Sequence, residues 1–309
     1  MSGRLTALIA EELDRPAMAE ARAVADAILA RHGASVAAVL FYGSCLRTGD
    51  ASGILDVYVL TDSLRAYHGR LWPALLNAAL PPTVSYLEVP GAAGRVRAKV
   101  AVMGTAAFAR AVRGRGIDTT VWARFCQPAA LLYARDQASR AAAIDAVAQA
   151  VVTAARWAVR LGPDHAAPAA YWTTLFRHTY GAELRAEREN RPDLIHAWAA
   201  ERYDHLLPLA LADGGGAVEQ EPDGSLRPTV HDRAAACRTW ARRRRAGKLL
   251  NVLRLVKAAF TFENGVDYIL WKLERHSGRP VRISDWGRRH PLLAAPALLL
   301  RLYRDGVIR

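Results

Sequence analysis

The chain has 309 residues, with 42 Lys and Arg against 29 Asp and Glu, a net charge of +13 and 52% hydrophobic residues. Length and apolar content suffice for one large domain or two modest ones with buried cores, which excludes an intrinsically disordered chain. The positive surplus favours an acidic partner: nucleic acid, nucleotide phosphates or an anionic membrane surface.

The first segment, MSGRLTALIAEELDRPAM, carries Glu11, Glu12 and Asp14 and no apolar h-region, so it reads as neither a secretory signal nor an acid-poor transit peptide. Cys45, Cys126 and Cys237 stand far apart without a CxxC pair, which points to reduced thiols in a cytosolic compartment. Residues 15–33 are expected to form a helix ending near Gly33. Val36–Tyr42 and Ile54–Thr61 are wholly or mainly apolar runs of strand length. A helix closes at 77–82, and Thr83–Val89 reads as a third strand. Arg95–Met103 alternates basic and apolar residues at its start, the pattern of a strand with one basic face, and Gly91–Gly94 supplies a hairpin turn. The expected outcome is a small mixed sheet flanked by helices in an α/β head.

Beyond residue 105 the pattern predicts helices over 105–113, 119–133, 137–160, 168–190 and 193–212. Asp213–Pro228, rich in Gly, Pro and Asp, has too little apolar surface to pack and reads as a linker. A long helical stretch, 230–276, contains Arg242–Arg245. The expected organisation is an α/β domain over 1–135, a helical domain over 136–212, the linker over 213–228, and a basic helical region over 229–309. No apolar run approaches the roughly 20 residues that span a bilayer; the nearest, Pro291–Leu300, is short and holds two prolines.

The chemistry concentrates in FYGSCLRTGDASGILDVYVLTD, residues 41–62. Gly43 lets the backbone approach a phosphate closely, and Ser44 adds a hydroxyl beside the exposed N–H groups of the turn. Asp56 heads the next strand, where its carboxylate can point at the same phosphates through Mg²⁺, a hard cation that prefers oxygen ligands. This Gly-Ser, spacer, Asp arrangement resembles the nucleotidyltransferase (polymerase-beta-like) superfamily. That superfamily usually carries a second carboxylate two residues further on, and Tyr58 stands there.

LDVYVLTDSLRAYH, residues 55–68, resembles one branch of the superfamily more closely: the mitochondrial translocator assembly and maintenance protein family, a peripheral phosphatidate cytidylyltransferase or CDP-diacylglycerol synthase. Asp56, Asp62, Tyr67 and His68 match its Asp, apolar run, Asp, aromatic-His pattern, and that branch also lacks the near carboxylate. AKVAVMGTAAF resembles its Lys-bearing strand and places Lys99. WARFCQPAALLY resembles its Trp-rich segment and places Arg124 and Pro128. The segment beginning RHTYGAELRAE places Tyr180, Glu183 and Arg185, with Glu for the usual Asp and Leu184 for an aromatic. The resemblance spans roughly residues 36–275 and rests on the order and spacing of the segments.

The resemblance implies a nucleotidyltransferase head, CTP and phosphatidate as substrates, and Mg²⁺ as cofactor. No nucleic-acid partner is expected, since no aromatic-basic RNA-recognition motif appears; a basic RNA-binding module is the weakest alternative. The resemblance also implies residence on the inner face of the cytoplasmic membrane. In that reading Asp56 holds the metal, Gly43, Ser44, Tyr180 and Arg185 contact the nucleotide, and Lys99 and Arg124 counter phosphate charge. Glu183, Glu88 and Asp62 are the candidates for a further metal ligand. Plainer readings stand beside these. Asp56 caps a strand, Asp62 starts a helix as its N-cap, Lys99 is solvated, Arg124 and Glu183 pair with each other, and His68 is a surface residue. The basic, Leu- and Val-bearing stretch 241–260 suits an anionic bilayer, as does 292–304; its plainer reading is a core-packed helix with a solvated Arg cluster. Other acceptors, a sugar phosphate, a small molecule or a protein side chain, and a catalytically inactive nucleotide- or lipid-binding adaptor, remain open from sequence.

Overall fold

A computed structural model of the chain describes residues 3–91, 94–182, 191–216, 218–229 and 233–261, with 284 and 286. Two N-terminal helices, α1 (Gly3–Leu13) and α2 (Ala19–His32), lead into strand β1 (Val36–Tyr42). There follow a short helix α3 (Ser44–Thr48), β2 (Ile54–Thr61), α4 (Leu64–His68), α5 (Leu71–Ala79), β3 (Thr83–Gly91) and β4 (Gly94–Gly104). Next come α6 (Thr105–Val112), α7 (Thr120–Phe125), β5 (Ala129–Ala134), and the helices α8 (Gln137–Leu161), α9 (Pro168–Ala182), α10 (Arg191–Trp198) and α11 (Ala200–Asp213). A small hairpin, β6 (Val218–Gln220) and β7 (Leu226–Pro228), precedes α12 (Arg233–Thr261).

The five-stranded sheet has the order β3-β4-β2-β1-β5. It is mixed: β2 and β4 run parallel, and the other neighbours are antiparallel. Strand alternation gives each face its own core. Val57, Val59, Val100 and Val102 turn to one face and pack with Val24 and Ile28 of α2. Tyr58, Leu60, Ala101 and Met103 turn to the other, where α1, α6, α7 and α8 cover them. That second core runs on without a break through α8, α9 and α11 to Leu226 and Trp240. By length and composition α8 could cross a bilayer, but 78% of its most apolar window is buried inside the protein.

The structure departs from the sequence pattern in several respects. The single helix expected over 193–212 is two, α10 and α11, broken at Ala199, whose backbone leaves the helical region. Leu5, Ile9 and Leu13 repeat every four residues and make α1 a buried helix, an element absent from the sequence expectation. The helix expected over 119–133 stops at Phe125, because Pro128 cannot continue it, and Ala129–Ala134 pairs with β1 as an edge strand. The expected linker holds the β6–β7 hairpin instead. Asp223 accepts from the backbone N–H and hydroxyl of Ser225, and Leu226 is fully buried. The Arg242–Arg245 cluster is not uniformly solvated. Arg243 is buried, with its guanidinium 4.4 Å from the Trp157 ring centroid and a hydrogen bond to the Gly114 carbonyl, while Arg242, Arg244 and Arg245 are exposed. The segments 183–190 and 292–304 lie outside the described residues.

Candidate functional site

The β1–α3–β2 segment builds a tight cradle. β1 ends at Tyr42, which sits opposite Asp56 in the antiparallel register. The chain then turns at Gly43, with φ 94° and ψ −160°, a backbone conformation open essentially to glycine alone. Glycine is required there for a second reason. A Cβ at this position would lie 2.5 Å from Oδ2 of Asp56. Sequence spacing alone placed the two residues near each other; the structure sets the carboxylate directly over the glycine. Ser44, half-buried, opens α3 immediately after.

Across β2, Asp56 lies in register with Lys99 of β4, and Lys99 with Tyr86 of β3. Neighbouring residues in register share a face, so these side chains stand on the same side as Tyr58 and Ala101. The character of that face changes within one step. Leu60 with Met103 and Tyr58 with Ala101 are buried core rows, Asp56 with Lys99 is the first charged row, and Arg97 with Glu88 is the next. Asp56 and Lys99 are both half-buried. The carboxylate therefore sits at the rim of a hydrophobic wall, where charge is less screened than in open solvent.

Tyr58 forms that wall. It is 1% exposed, and its ring lies 5.2 Å from Phe125, 5.9 Å from Phe108 and 5.9 Å from Tyr42. The slot for a second strand carboxylate is thus a core position. Phe125 is the last residue of α7, so this aromatic contact brings the end of α7, with Arg124 and Gln127, over the cradle. Arg47 of α3 donates to Gln127 at 3.4 Å. A buried ion pair holds the α7–β5 turn in place: Arg202 of α11 donates to both Glu12 oxygens of α1 and to the Cys126 carbonyl at 2.9 Å. Arg124, half-buried, is within 3.5 Å of the Thr120 carbonyl of its own helix.

Gly43, Ser44, Asp56 and Lys99 are brought together, and the Arg124 end of α7 stands beside them. Asp62, Tyr67 and His68, also expected from sequence, are not. Asp62 lies beyond the far end of β2, about 20 Å away at the rise of an extended strand. There it accepts from Arg135 at 2.7 Å and from Thr105 at 3.0 Å, and the Arg135 bond, ahead of the cost of burial, holds its carboxyl below the usual range. It is not the helix N-cap either; Ser63 is, accepting from the Ala66 N–H. Tyr67 and His68 share that far end. Tyr67 stacks on His32 with centroids 3.8 Å apart, and His68 bonds the buried Asn77 at 3.0 Å. Tyr180 is half-buried on α9 against the larger core. Glu183 and Arg185 lie outside the described residues.

Glu88 does reach the correct face, one row out, but it is committed to cations. It accepts from Arg95 at 2.9 Å and from the Tyr86 hydroxyl at 2.7 Å, and faces Arg97 Nε at 3.4 Å. Burial raises its pKa, but the Tyr86 and Arg95 hydrogen bonds and the Arg97 charge outweigh burial, so the net shift is downward. Burial, then the bond to Glu88, drives the Tyr86 hydroxyl well above its ordinary value.

Among the described residues, no group of three or more His, Cys, Asp or Glu is arranged to hold a metal ion. Asp56 alone offers a carboxylate in the cradle row. That fits Mg²⁺ of the kind bound through one or two carboxylates together with substrate phosphates, rather than an all-protein cage. No family model matches the chain, and no curated protein matches it.

Proposed function

We propose that the protein is a nucleotidyltransferase of the polymerase-beta-like fold that transfers CMP from CTP to the phosphate of phosphatidate. The observation that carries the nucleotidyl-transfer reading is the close approach of the Asp56 carboxylate to Gly43, with Lys99 in register beside it. A side chain-free backbone turn, a carboxylate and a cation converge on one rim, an arrangement suited to a bound polyphosphate. CTP and phosphatidate are supplied by the family resemblance of residues 55–68, 98–108 and 122–133.

In this reaction a phosphate oxygen of the acceptor forms a bond to the α-phosphorus of CTP, and the bond from that phosphorus to the bridging oxygen of pyrophosphate breaks. CDP-diacylglycerol and pyrophosphate are the products. A phosphate monoester has its second pKa at about 6, so near neutrality it attacks without a general base. The protein's task is then positioning and charge neutralisation. Gly43 and Ser44 seat the β- and γ-phosphates. Lys99 counters charge on the phosphates, and Arg124 approaches from the α7 side. Mg²⁺, held by Asp56, would stabilise the leaving pyrophosphate. An anionic bilayer as the acceptor's home is supported by the exposed Arg242, Arg244, Arg245 and Lys248 on α12.

The test is purified protein with α-labelled CTP, Mg²⁺ and phosphatidate vesicles. Labelled lipid that disappears in Asp56→Ala supports the reading. Label on a soluble acceptor moves the acceptor, and no transfer under any divalent cation refutes the proposal.

A further inference from the structure

We infer that Arg97 is a second phosphate-binding cation of this site, held in position by Glu88. The inference rests on the proposed polyphosphate chemistry at Asp56 and names a residue outside every motif that suggested it.

Arg97 and Lys99 are two residues apart on β4, so they share a face and stand about 7 Å apart along the strand. Lys99 adjoins Asp56, and Arg97 occupies the next row outward, in register with Glu88 on one side and Ile54 on the other. The two rows carry two cations against two carboxylates, and Arg95 on the same strand face adds a third cation. An anion entering over Gly43 and extending outward along β4 therefore meets Lys99 first and Arg97 second.

The three basic residues of the strand are not equivalent. The Arg95 side chain is 74% exposed, whereas that of Arg97 is 28% exposed. Solvent screens Arg95; Arg97 is sheltered enough for its charge to act on a ligand. Its guanidinium also lies at ion-pair distance from an anchored carboxylate. Glu88 Oε1 accepts from the hydroxyl of Tyr86, which is almost fully buried, and lies 3.4 Å from Arg97 Nε. A carboxylate anchored by a buried tyrosine attracts the cation beside it and biases where its charge sits. A planar guanidinium fork matches the oxygens of a phosphate, and a pre-placed one loses less freedom on binding than a solvated one. Glu88 is thus a positioning residue, and its place on the charged face is explained without a metal.

The ligand is a phosphate group, and two sources present one: the end of the nucleotide triphosphate and the acceptor's phosphate monoester. Inorganic pyrophosphate is the probe, titrated calorimetrically into wild type, Arg97→Met, Arg97→Lys, Arg95→Met and Glu88→Gln, with melting temperatures recorded alongside. Arg97→Met is expected to weaken pyrophosphate about tenfold or more, as for loss of a charge-assisted bond, with Arg97→Lys intermediate and Arg95→Met near wild type. Glu88→Gln is expected to weaken it by a smaller factor. Wild-type affinity in Arg97→Met, or equal losses in Arg95→Met and Arg97→Met, overturns the inference, as does a wild type that binds no pyrophosphate. In the transfer assay, a raised KM for CTP alone assigns Arg97 to the nucleotide, and a raised KM for phosphatidate alone assigns it to the acceptor. Pyrophosphate binding that depends on Arg97, in a protein that transfers no CMP, upholds the phosphate site and refutes the proposed reaction.

Discussion

Gly43→Ala isolates the geometry on which the proposed chemistry stands. The substitution acts twice. Alanine at φ 94°, ψ −160° is strained by about 1–3 kcal/mol. Its Cβ would also stand 2.5 Å from Asp56 Oδ2, where ordinary contact begins at 3.4 Å, so the carboxylate must retreat by about 0.9 Å. A misplacement of about 1 Å in a positioned catalytic group costs on the order of 10²-fold in rate. The strain alone lowers the melting temperature modestly. At roughly 2.1 cal/mol/K per residue over 309 residues, the unfolding entropy is about 0.65 kcal/mol/K, so the shift is about 2–5 °C. Gly49→Ala is the matched control: Gly49 ends α3 at φ 69°, with no atom within 4 Å of an added Cβ. It should lose stability and keep its turnover. Steady-state CMP transfer and thermal unfolding are measured on both variants. If Gly43→Ala turns over like wild type, or if Gly49→Ala loses as much rate, the cradle is not where the reaction occurs.

Three further outcomes are expected. Reversing Arg242, Arg244 and Arg245 together to Glu should reduce flotation with anionic vesicles and leave the melting temperature near wild type. Arg243→Glu should instead destabilise the fold, because it buries a carboxylate against Trp157 and leaves the Gly114 carbonyl without its donor; flotation unchanged in the triple variant removes α12 from the membrane reading. Burial raises the pKa of Asp118, but the bond and charge of Arg254 and the bonds from Thr120 outweigh it, leaving the pKa below 3.8. The ionised pair therefore adds stability above about pH 3.8, which is lost as pH falls through the folded-state value; Asp118→Asn should flatten the fall in melting temperature between about pH 5 and 3, and an unchanged acid profile would sink this account. Tyr58→Asp, which places an acid where the nucleotidyltransferases that residues 41–62 resemble have one, should lower stability by more than about 4 kcal/mol in denaturant titration rather than add a metal ligand, since the position is 1% exposed among aromatic rings.

Local signals were legible where strand and turn chemistry agreed. Val36–Tyr42, Ile54–Thr61 and the basic-faced fourth strand fold as their patterns require, and Gly43 with Asp56 converge as their spacing suggested. Pro128 was the signal that ends α7, yet the apolar run on both sides of it reads as one periodicity. The Pro222-Asp223-Gly224-Ser225 sequence is a turn signal within a stretch too poor in apolar residues to suggest packing, and Leu226 is the apolar residue it delivers to the core. Asp62 misled for a different reason. Six residues is a short distance in sequence, but along an extended strand it carries a side chain to the opposite end of the sheet. Register is what sequence spacing does not contain. Arg97 and Glu88 face each other only because β3 and β4 pair antiparallel at Gly91–Gly94, and Lys99 meets Asp56 only because β2 and β4 run parallel.

Register also bears on how a divalent cation is received under the proposed chemistry. Tyr58 closes the next position on Asp56's face with an aromatic ring packed into the core, so the strand presents one carboxylate rather than two. Lys99 stands beside that carboxylate on the adjacent strand. A bare Mg²⁺ approaching this rim meets a single acid and a neighbouring positive charge, a poor site by ligand number and by field. A triphosphate changes both at once: its oxygens complete the coordination, and its negative charge turns Lys99 and Arg97 from opponents into partners. Under that chemistry the cradle would suit the metal–nucleotide complex rather than either component alone, and Glu88, held by Tyr86 and two arginines, would serve the cations that seat it.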